Sequence, residues 1–246
     1  MSKYTAVVLG AGWRGRGHME AFLANGDRFD LRAVCDLDLA RLESTLKTVN
    51  VSLPMYRNVD EMLEKEKPEI VIVGTPDHWH ALNMIDSVKA GAHVYVEKPI
   101  SHTILEGKAM VKAARDAGRV VQAGTHRRVS PHNISAREFI RSGKLGKLGM
   151  VRAFVHYGGG PEKPKRNIEP PKGLDWDMWC GPAPLRPYNG DPGNPWSGGI
   201  HPRGFRGYLD YANGTLGDWG IHWMDQILWV MGQKWPKRVF STGGRP

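Results

Sequence analysis

The amino-acid sequence predicts an α/β fold built on a doubly wound parallel sheet, and two observations carry this prediction. Over the first 124 residues, short apolar segments of strand length alternate with amphipathic segments of helix length. The strand-like segments are apolar at nearly every position rather than at alternate ones. That composition is typical of strands buried on both faces, as in a parallel sheet between two layers of helices.

The elements of this first domain follow each other in a regular order. Strands are predicted over residues 6–9, 31–35, 69–73, 93–96 and 120–123, and helices over 13–25, 39–48, 81–90 and 103–117. Residues 56–66 are predicted to form a short connection and a further helix. Glycine or proline ends most of these segments. We therefore predict a first domain over residues 1–124 and a second over residues 125–246.

The first strand ends in a glycine motif. Gly10, Gly12 and Gly15 have the spacing G-x-G-x-x-G. The first glycine permits a tight turn, the second lets a pyrophosphate approach the main chain, and the third lets the next helix pack on the strand. That helix begins at Trp13 and Arg14, so its N-terminal amides would point at the phosphates.

An acidic residue follows at the position that this motif requires. The second strand ends in Asp36, 21 residues after Gly15, where a carboxylate can bind the hydroxyl groups of the adenosine ribose. Asp36 and Asp38 would repel a ribose 2′-phosphate, and the nearest arginine is Arg41. The sequence thus predicts NAD as the cofactor, with NADP the weaker alternative.

Polar and basic side chains follow the remaining strands, at the sheet edge where such folds bind ligands. Besides the glycine motif and Asp36, the candidates for cofactor binding are Thr75, Pro76, His78, His80, Glu97, Lys98 and Arg127. His78 and His80 could instead be metal ligands, but no third ligand has a suitable spacing, so no metal is predicted. A lysine at the end of a parallel strand, such as Lys98, is well placed to act on a substrate hydroxyl or carbonyl group.

The second half of the chain has a different character. We predict a helix over residues 130–142, a strand over 148–157 in a different sheet, a long irregular segment over 158–206 and a strand over 238–241. The irregular segment carries Trp176, Trp179 and Trp196. These side chains could line a sugar-binding wall, or they could pack the segment onto the domain.

A helix over residues 213–230 carries the strongest catalytic candidates of this half. Asp218 and His222 are four residues apart and would share one face. Histidine is the side chain best suited to proton transfer near neutral pH, and a neighbouring carboxylate can orient it. A purely structural Asp–His pair is the alternative.

Composition excludes several function classes. The chain has 246 residues, a net charge of +9 and two cysteines, so neither a disulfide framework nor a cysteine metal cluster is predicted. No apolar stretch approaches the ~20 residues that span a membrane, and the basic residues are dispersed without a nucleic-acid-binding motif. We expect a cytoplasmic protein that binds neither membrane nor nucleic acid, with a small molecule as partner.

The motifs together resemble the Gfo/Idh/MocA oxidoreductases, a family named for glucose–fructose oxidoreductase, inositol dehydrogenase and a rhizopine-catabolism protein. The matching segments, in family order, are GAGWRG (Gly10–Gly15), TPDHWH (Thr75–His80), EKP (Glu97–Pro99) and GTLGDWGIHWMD (Gly214–Asp225). The resemblance implies a Rossmann domain followed by an α+β substrate domain with an open, mostly antiparallel sheet. It also implies a homo-oligomer formed through that sheet.

The same resemblance implies catalytic roles and leaves alternatives open. Lys98 would lie near the nicotinamide and the substrate, His222 would be the general base and Asp218 its neighbour. The implied reaction is an NAD-dependent hydride transfer from a sugar, polyol or cyclitol carbon. Some relatives are NAD-dependent glycoside hydrolases, and a non-catalytic nucleotide-binding protein is a third possibility. Family members continue past residue 241, so the second domain is expected to be incomplete at its C-terminus.

Overall fold

The first half of the chain forms one parallel sheet of six strands in a computed structural model, which describes residues 2–156, 165–190 and 198–243. The strands are β1 (Tyr4–Leu9), β2 (Phe29–Cys35), β3 (Met55–Tyr56), β4 (Ile70–Val73), β5 (His93–Val96) and β6 (Val121–Ala123). Their order across the sheet is β3-β2-β1-β4-β5-β6, and all neighbours are parallel. The chain adds β2 and β3 on one side of β1 and adds β4, β5 and β6 on the other side. Where the strand order reverses in this way, between β1 and β4, a crevice opens at the carboxyl ends of the two strands.

Five helices cover both faces of the sheet. They are α1 (Trp13–Ala24), α2 (Leu39–Thr48), α3 (Val59–Glu66), α4 (His80–Lys89) and α5 (Ile104–Asp116). Apolar residues of α1 and α2 pack on one face, and those of α3, α4 and α5 pack on the other. This arrangement confirms the predicted doubly wound sheet. The short strand β3 was not predicted because two residues carry no readable pattern, although their main chain pairs with the end of β2.

Strand β1 shows why the apolar pattern of the sequence was continuous. Ala6 and Val8 pack on one side of the sheet while Val7 and Leu9 pack on the other, and all four side chains are 0% exposed. A strand at the centre of a doubly covered sheet has no solvent face, so it has no place for alternating polar residues.

The described residues of the second half form three α-helices, α6 (Pro131–Arg141), α7 (Trp176–Cys180) and α8 (Ile221–Met231). A π-helical turn, Leu216–Gly220, leads directly into α8. The predicted helices over residues 130–142 and 213–230 are thus present, the second with a change of helical type that the sequence pattern did not indicate.

The predicted strands over 148–157 and 238–241 are wrong for the residues that the structure describes. Residues 148–156 and 238–243 form no ladder, and Phe154 and Phe240 are 62% and 88% exposed. An alternating sequence becomes a strand only where a neighbour accepts its hydrogen bonds, and no described segment pairs with either. The antiparallel sheet is therefore not formed in this part of the chain, Tyr157 lies outside the described residues, and oligomerisation through that sheet stays a prediction.

A small aromatic cluster fastens the second half onto the loop after β4. Trp179, Phe205 and Tyr211 surround the ring of His78, at centroid distances between 5.1 and 6.2 Å. The rings of Trp176 and Trp179 stack at 4.6 Å. Trp176 and Trp179 therefore pack the irregular segment onto the protein and do not form an open sugar-binding wall. Trp196 lies outside the described residues.

Hydrogen bonds reinforce this contact. The Trp179 carbonyl oxygen lies 2.8 Å from His78 Nε2 and accepts a bond from Trp79 Nε1 at 3.0 Å. Burial lowers the pKa of the His78 imidazole to about 4.

Along the described parts of the chain, no helix combines the length and the apolar character that a membrane crossing requires.

The buried His78 makes stability depend on pH. Its pKa is lower in the folded chain than in the unfolded one, so acid protonates the unfolded state first and favours it. We expect the free energy of unfolding to fall by about 2 kcal/mol between pH 7 and pH 5 because of this one group. His78→Phe should remove most of that fall, since the ring remains and the titration is lost.

Urea unfolding at both pH values measures the effect. His132→Gln is the control, because His132 is an exposed histidine on α6. An equal loss of stability in the wild type and in His78→Phe would contradict the assignment.

Candidate functional site

The loop between β1 and α1 is shaped by two glycines that tolerate no side chain. Gly10 has a φ of +89°, and a Cβ atom there would lie 2.7 Å from the Gly74 carbonyl oxygen. A Cβ atom on Gly15 would lie 1.7 Å from the carbonyl oxygen of Gly10. These contacts hold the start of α1 tightly against the ends of β1 and β4.

Gly12 differs from both because a Cβ atom there would meet nothing within 4 Å. Gly12 also caps the start of α1, and no side chain accepts a hydrogen bond from the first turn of that helix. The open space and the free amides fit a phosphate group, which helix N-termini bind readily. Trp13 and Arg14, in that first turn, are 79% and 39% exposed at the mouth of the crevice.

Asp36 ties the glycine loop to the end of β2. Its carboxylate accepts hydrogen bonds from the amides of Ala11, at 2.6 Å, and Asp38, at 2.9 Å. Burial raises the pKa of Asp36, and these two bonds oppose the shift. Each carboxylate oxygen has a second lone pair, so the group can still accept a bond from a ribose hydroxyl.

The loop after β4 holds the sequence candidates Thr75, Pro76, His78 and His80 in a packed position. The two nitrogens of His80 lie 2.6 Å from the Pro99 carbonyl oxygen and 2.8 Å from that of Thr75. His80 therefore joins this loop to the turn that carries Lys98. Both histidine side chains are at most 2% exposed, and the described residues contain no cluster of three potential metal ligands.

The Thr75 hydroxyl accepts a hydrogen bond from Asn83 Nδ2 at 3.0 Å. Thr75, like Pro76, is only partly buried at the head of the loop. In the structure, His78 and His80 hold the loop after β4 in place. Contact of a cofactor with Thr75, Pro76, His78 or His80 stays a prediction.

Glu97 forms a buried charge cluster with two residues of α1. Its Oε1 accepts hydrogen bonds from Arg14 at 2.6 and 3.0 Å and lies 2.8 Å from His18 Nε2. Burial would raise the pKa of Glu97, but the bonds from His18 and Arg14 outweigh it and lower the pKa to about 2. The cluster fixes the start of α1 relative to the end of β5.

Lys98 extends from the end of β5 to the π-helical turn of the second half. Its ammonium group donates to Asp218 Oδ1 at 2.5 Å and to the Asp218 carbonyl oxygen at 2.7 Å. Arg206 Nε lies 3.3 Å from the other carboxylate oxygen of Asp218. The structure therefore brings two of the predicted catalytic residues together and adds an arginine to them.

His222 stands beside this ion pair in the first turn of α8. Its ring contacts the rings of His126 and Trp219, at centroid distances of 4.9 and 6.1 Å. Burial is the main cause that lowers the pKa of His222 to about 4, and Asp218 acts against it. The other charges that lower this pKa come from Lys98, His126 and Arg127.

The predicted pairing of Asp218 with His222 is only partly present. The carboxylate of Asp218 binds Lys98 and Arg206. Its interaction with His222 raises the pKa of His222 but is electrostatic, without a hydrogen bond. The π-helical turn is the reason, since its wider turn changes the angle between residues four apart.

Arg127 and Arg128 attach the segment after β6 to α8. The Arg127 guanidinium lies 3.9 Å from the centre of the Trp223 ring, and its Nη1 donates to Gln226 at 3.4 Å. Arg128 forms a two-pronged ion pair with Asp225, with bonds of 2.5 to 3.0 Å. Arg127 therefore lies near His222, and its predicted contact with the cofactor stays a prediction.

Sequence reasoning missed several residues of this site. His18 lies one turn after Arg14 on α1, and that spacing could have revealed it. Arg206 comes from an irregular segment that offers no pattern. His126 was visible beside Arg127 but had no predicted role.

Comparison with known proteins identifies the family. Residues 4–125 match the family model described as an oxidoreductase family with an NAD-binding Rossmann fold. Residues 151–239 match the C-terminal alpha/beta domain of the same oxidoreductase family. The chain belongs to the Gfo/Idh/MocA family. The Rossmann match covers the glycine loop, Asp36, Glu97 and Lys98, and the C-terminal match covers Asp218 and His222.

Two curated relatives carry different names. Inositol 2-dehydrogenase of Salmonella paratyphi B is 26% identical over 153 residues, which are 62% of this chain and 45% of that protein. Glycosyl hydrolase family 109 protein 1 of a Shewanella species is 28% identical over 157 residues, which are 60% of this chain and 34% of that protein. The alignments thus span less than half of each relative.

A solved structure shares the fold. An NAD-binding protein from Listeria innocua has a TM-score of 0.67 and 22% identity, over 93% of this chain and 55% of that one. At this identity the likeness concerns the fold. This Gfo/Idh/MocA chain spans about half the length of that structure as well.

The open space at Gly12 allows a direct test of the nucleotide site. Gly12→Ala should leave the fold intact, because the new methyl group meets no protein atom, and the poorer N-cap should lower the free energy of unfolding by about 1 kcal/mol at most. It should weaken NADH binding about 10-fold or more, because the methyl group would occupy the approach of the pyrophosphate. Fluorescence titration with NADH measures the affinity.

Gly17→Ala is the matched control, since Gly17 also has nothing within 4 Å and lies farther along α1. We expect it to retain NADH affinity and to raise stability by about 0.5–1 kcal/mol through helix propensity. Equal NADH affinities in the two variants would place the phosphates elsewhere.

Proposed function

We propose that this chain is the catalytic part of an NAD-dependent oxidoreductase that acts on a hydroxyl group of a sugar, polyol or cyclitol. The observation that carries the proposal is the contact of Lys98 with Asp218, beside His222 and one residue after Glu97, which binds Arg14 at the start of α1. The name of the relative inositol 2-dehydrogenase supports the substrate class.

Lys98 would stabilise negative charge on the substrate oxygen. An ammonium group has three hydrogen-bond donors, and two of them bind Asp218. One donor is left for the hydroxyl group of a substrate in the cleft. As that hydroxyl loses its proton, the positive charge of Lys98 stabilises the developing alkoxide.

His222 would accept that proton. Its lowered pKa keeps the imidazole neutral at physiological pH, the form that a general base needs. The bound nicotinamide would supply the hydride acceptor. Asp218 holds Lys98 in place, and the Glu97–Arg14 bonds hold the start of α1 beside the end of β5.

Substitution of the catalytic candidates tests these roles. We expect His222→Ala and Lys98→Met to lower kcat by about 100-fold or more, with NADH affinity retained. The assay combines the protein and NAD with sugars, cyclitols and nitrophenyl glycosides, and it follows NADH absorbance and nitrophenol release together.

The two signals distinguish the candidate reactions. Net accumulation of NADH without glycoside cleavage supports the dehydrogenase. Cleavage without net NADH would favour the glycoside hydrolase alternative, which the Shewanella relative suggests by its name. Full activity in both variants would contradict the roles assigned to Lys98 and His222.

We also propose NAD rather than NADP as the cofactor. The Asp36 carboxylate binds the amide of Ala11, so it is held at the edge of the glycine loop. A ribose 2′-phosphate there would meet a negative charge. We expect NADPH to bind at least 10-fold more weakly than NADH, a difference of about 1.4 kcal/mol.

Asp36→Ser should narrow this difference because it removes the charge and retains a hydroxyl group. Asp30→Ser is the control, since Asp30 is exposed near the start of β2, away from the carboxyl end that Asp36 follows. Titration of each protein with NADH and NADPH measures the ratio of affinities. A wild type that prefers NADPH would refute the cofactor assignment.

A further inference from the structure

A second histidine lies against the proposed general base. The rings of His126 and His222 have centroids 4.9 Å apart and planes inclined at 64°. Trp219 contacts His222 as well, at 6.1 Å. His222 is half-buried while His126 is exposed, so the ring that touches the proposed base is itself in contact with solvent.

The main chain around His126 is firmly attached to α8. Arg127 and Arg128 directly follow His126 in the chain. Their side chains bind side chains of α8. Asn133 adds a bond to the Arg127 carbonyl oxygen at 3.0 Å and accepts one from Gln226 at 2.9 Å. The position of the His126 ring next to His222 is therefore determined by several independent contacts.

We propose that His126 is a positioning residue for His222, which holds its ring in place and passes on the proton that His222 removes. This inference rests on the proposed function. The substrate O–H bond would break with its proton going to His222. A bound nicotinamide would supply the acceptor for the hydrogen that leaves the substrate carbon with its electron pair, so that a carbonyl group forms. The proton then moves from His222 to His126 and on to water.

The charges around the pair favour this direction. A proton on His222 is disfavoured by burial and by Lys98 and Arg127, with only Asp218 acting in its favour. His126 is nearer to solvent; burial, Arg14 and Arg127 lower its pKa, and Glu97 and a hydrogen bond with the Gly124 main chain raise it. Of the two histidines, His126 is the more exposed and has no ammonium group among the charges that lower its pKa.

The first test needs no substrate. Histidine side chains labelled with ¹⁵N are titrated by NMR in the wild type, His126→Gln and His132→Gln. Removal of the neighbouring imidazole should raise the pKa of His222 in His126→Gln, because a source of positive charge is lost. His132→Gln, on an exposed residue of α6, should leave it unchanged. An unchanged His222 titration in His126→Gln would overturn the proposal.

The second test separates proton transfer from packing. We expect His126→Gln and His126→Phe to lower kcat about 10-fold with little change in KM. Added imidazole should restore most of the loss in His126→Gln, whereas in His126→Phe the new ring retains the contact without a titrating nitrogen and fills the place of the imidazole. Normal kcat in His126→Phe, or a loss in His126→Gln that imidazole does not restore, would overturn the transfer role.

The outcomes are distinguishable from those of the proposed function. A protein that turns over no substrate would contradict the dehydrogenase, yet the NMR titration would still decide whether the two histidines are coupled. Conversely, a dehydrogenase whose His222→Ala variant is inactive and whose His126 variants are normal would retain its proposed function without this inference.

Discussion

The ion pair between Lys98 and Asp218 joins the two halves of the molecule at the point where chemistry is proposed. Lys98 is fixed by the end of β5 and by His80, which binds the carbonyl oxygen of the next residue, Pro99. Asp218 is fixed by the π-helical turn before α8. Both side chains are largely buried, at 17% and 14% exposure, so removing either partner would leave the other charge poorly solvated. The pair therefore requires both halves to be folded together.

The residues of the proposed site come partly from the parallel sheet and partly from the less regular second half of the chain. The parallel sheet supplies the glycine loop, Asp36, Glu97 and Lys98 from strand ends whose positions the core determines. The second half supplies Asp218 and His222 from a single helical segment. Contacts from the segment after β6 then hold α8 against the sheet. The geometry of the proposed site thus depends on packing between helices as much as on the loops themselves.

The sequence was informative where local chemistry decides the structure. Continuous apolar segments revealed the buried strands. The glycine motif was recognisable because the main chain at Gly10 has a positive φ, which favours glycine at that position. The strands expected at 148–157 and 238–241 failed because strand formation depends on a partner elsewhere. The π-helical turn and Arg206 were invisible because tertiary contacts, and not local pattern, place them. His126 needed the fold before its neighbour could be known.

Arg206 has a consequence for how such a site can diversify. Its guanidinium reaches Asp218 from a short 3₁₀ turn, Phe205–Gly207, whereas the residues proposed to bind the nucleotide lie at the ends of the sheet strands. Loops tolerate insertions and substitutions far better than core elements do. Substitutions in that turn can therefore alter the charge at Asp218 while the sheet that carries the glycine loop and Asp36 keeps its packing. The proposed substrate site can change its preference through this turn with little risk to the scaffold.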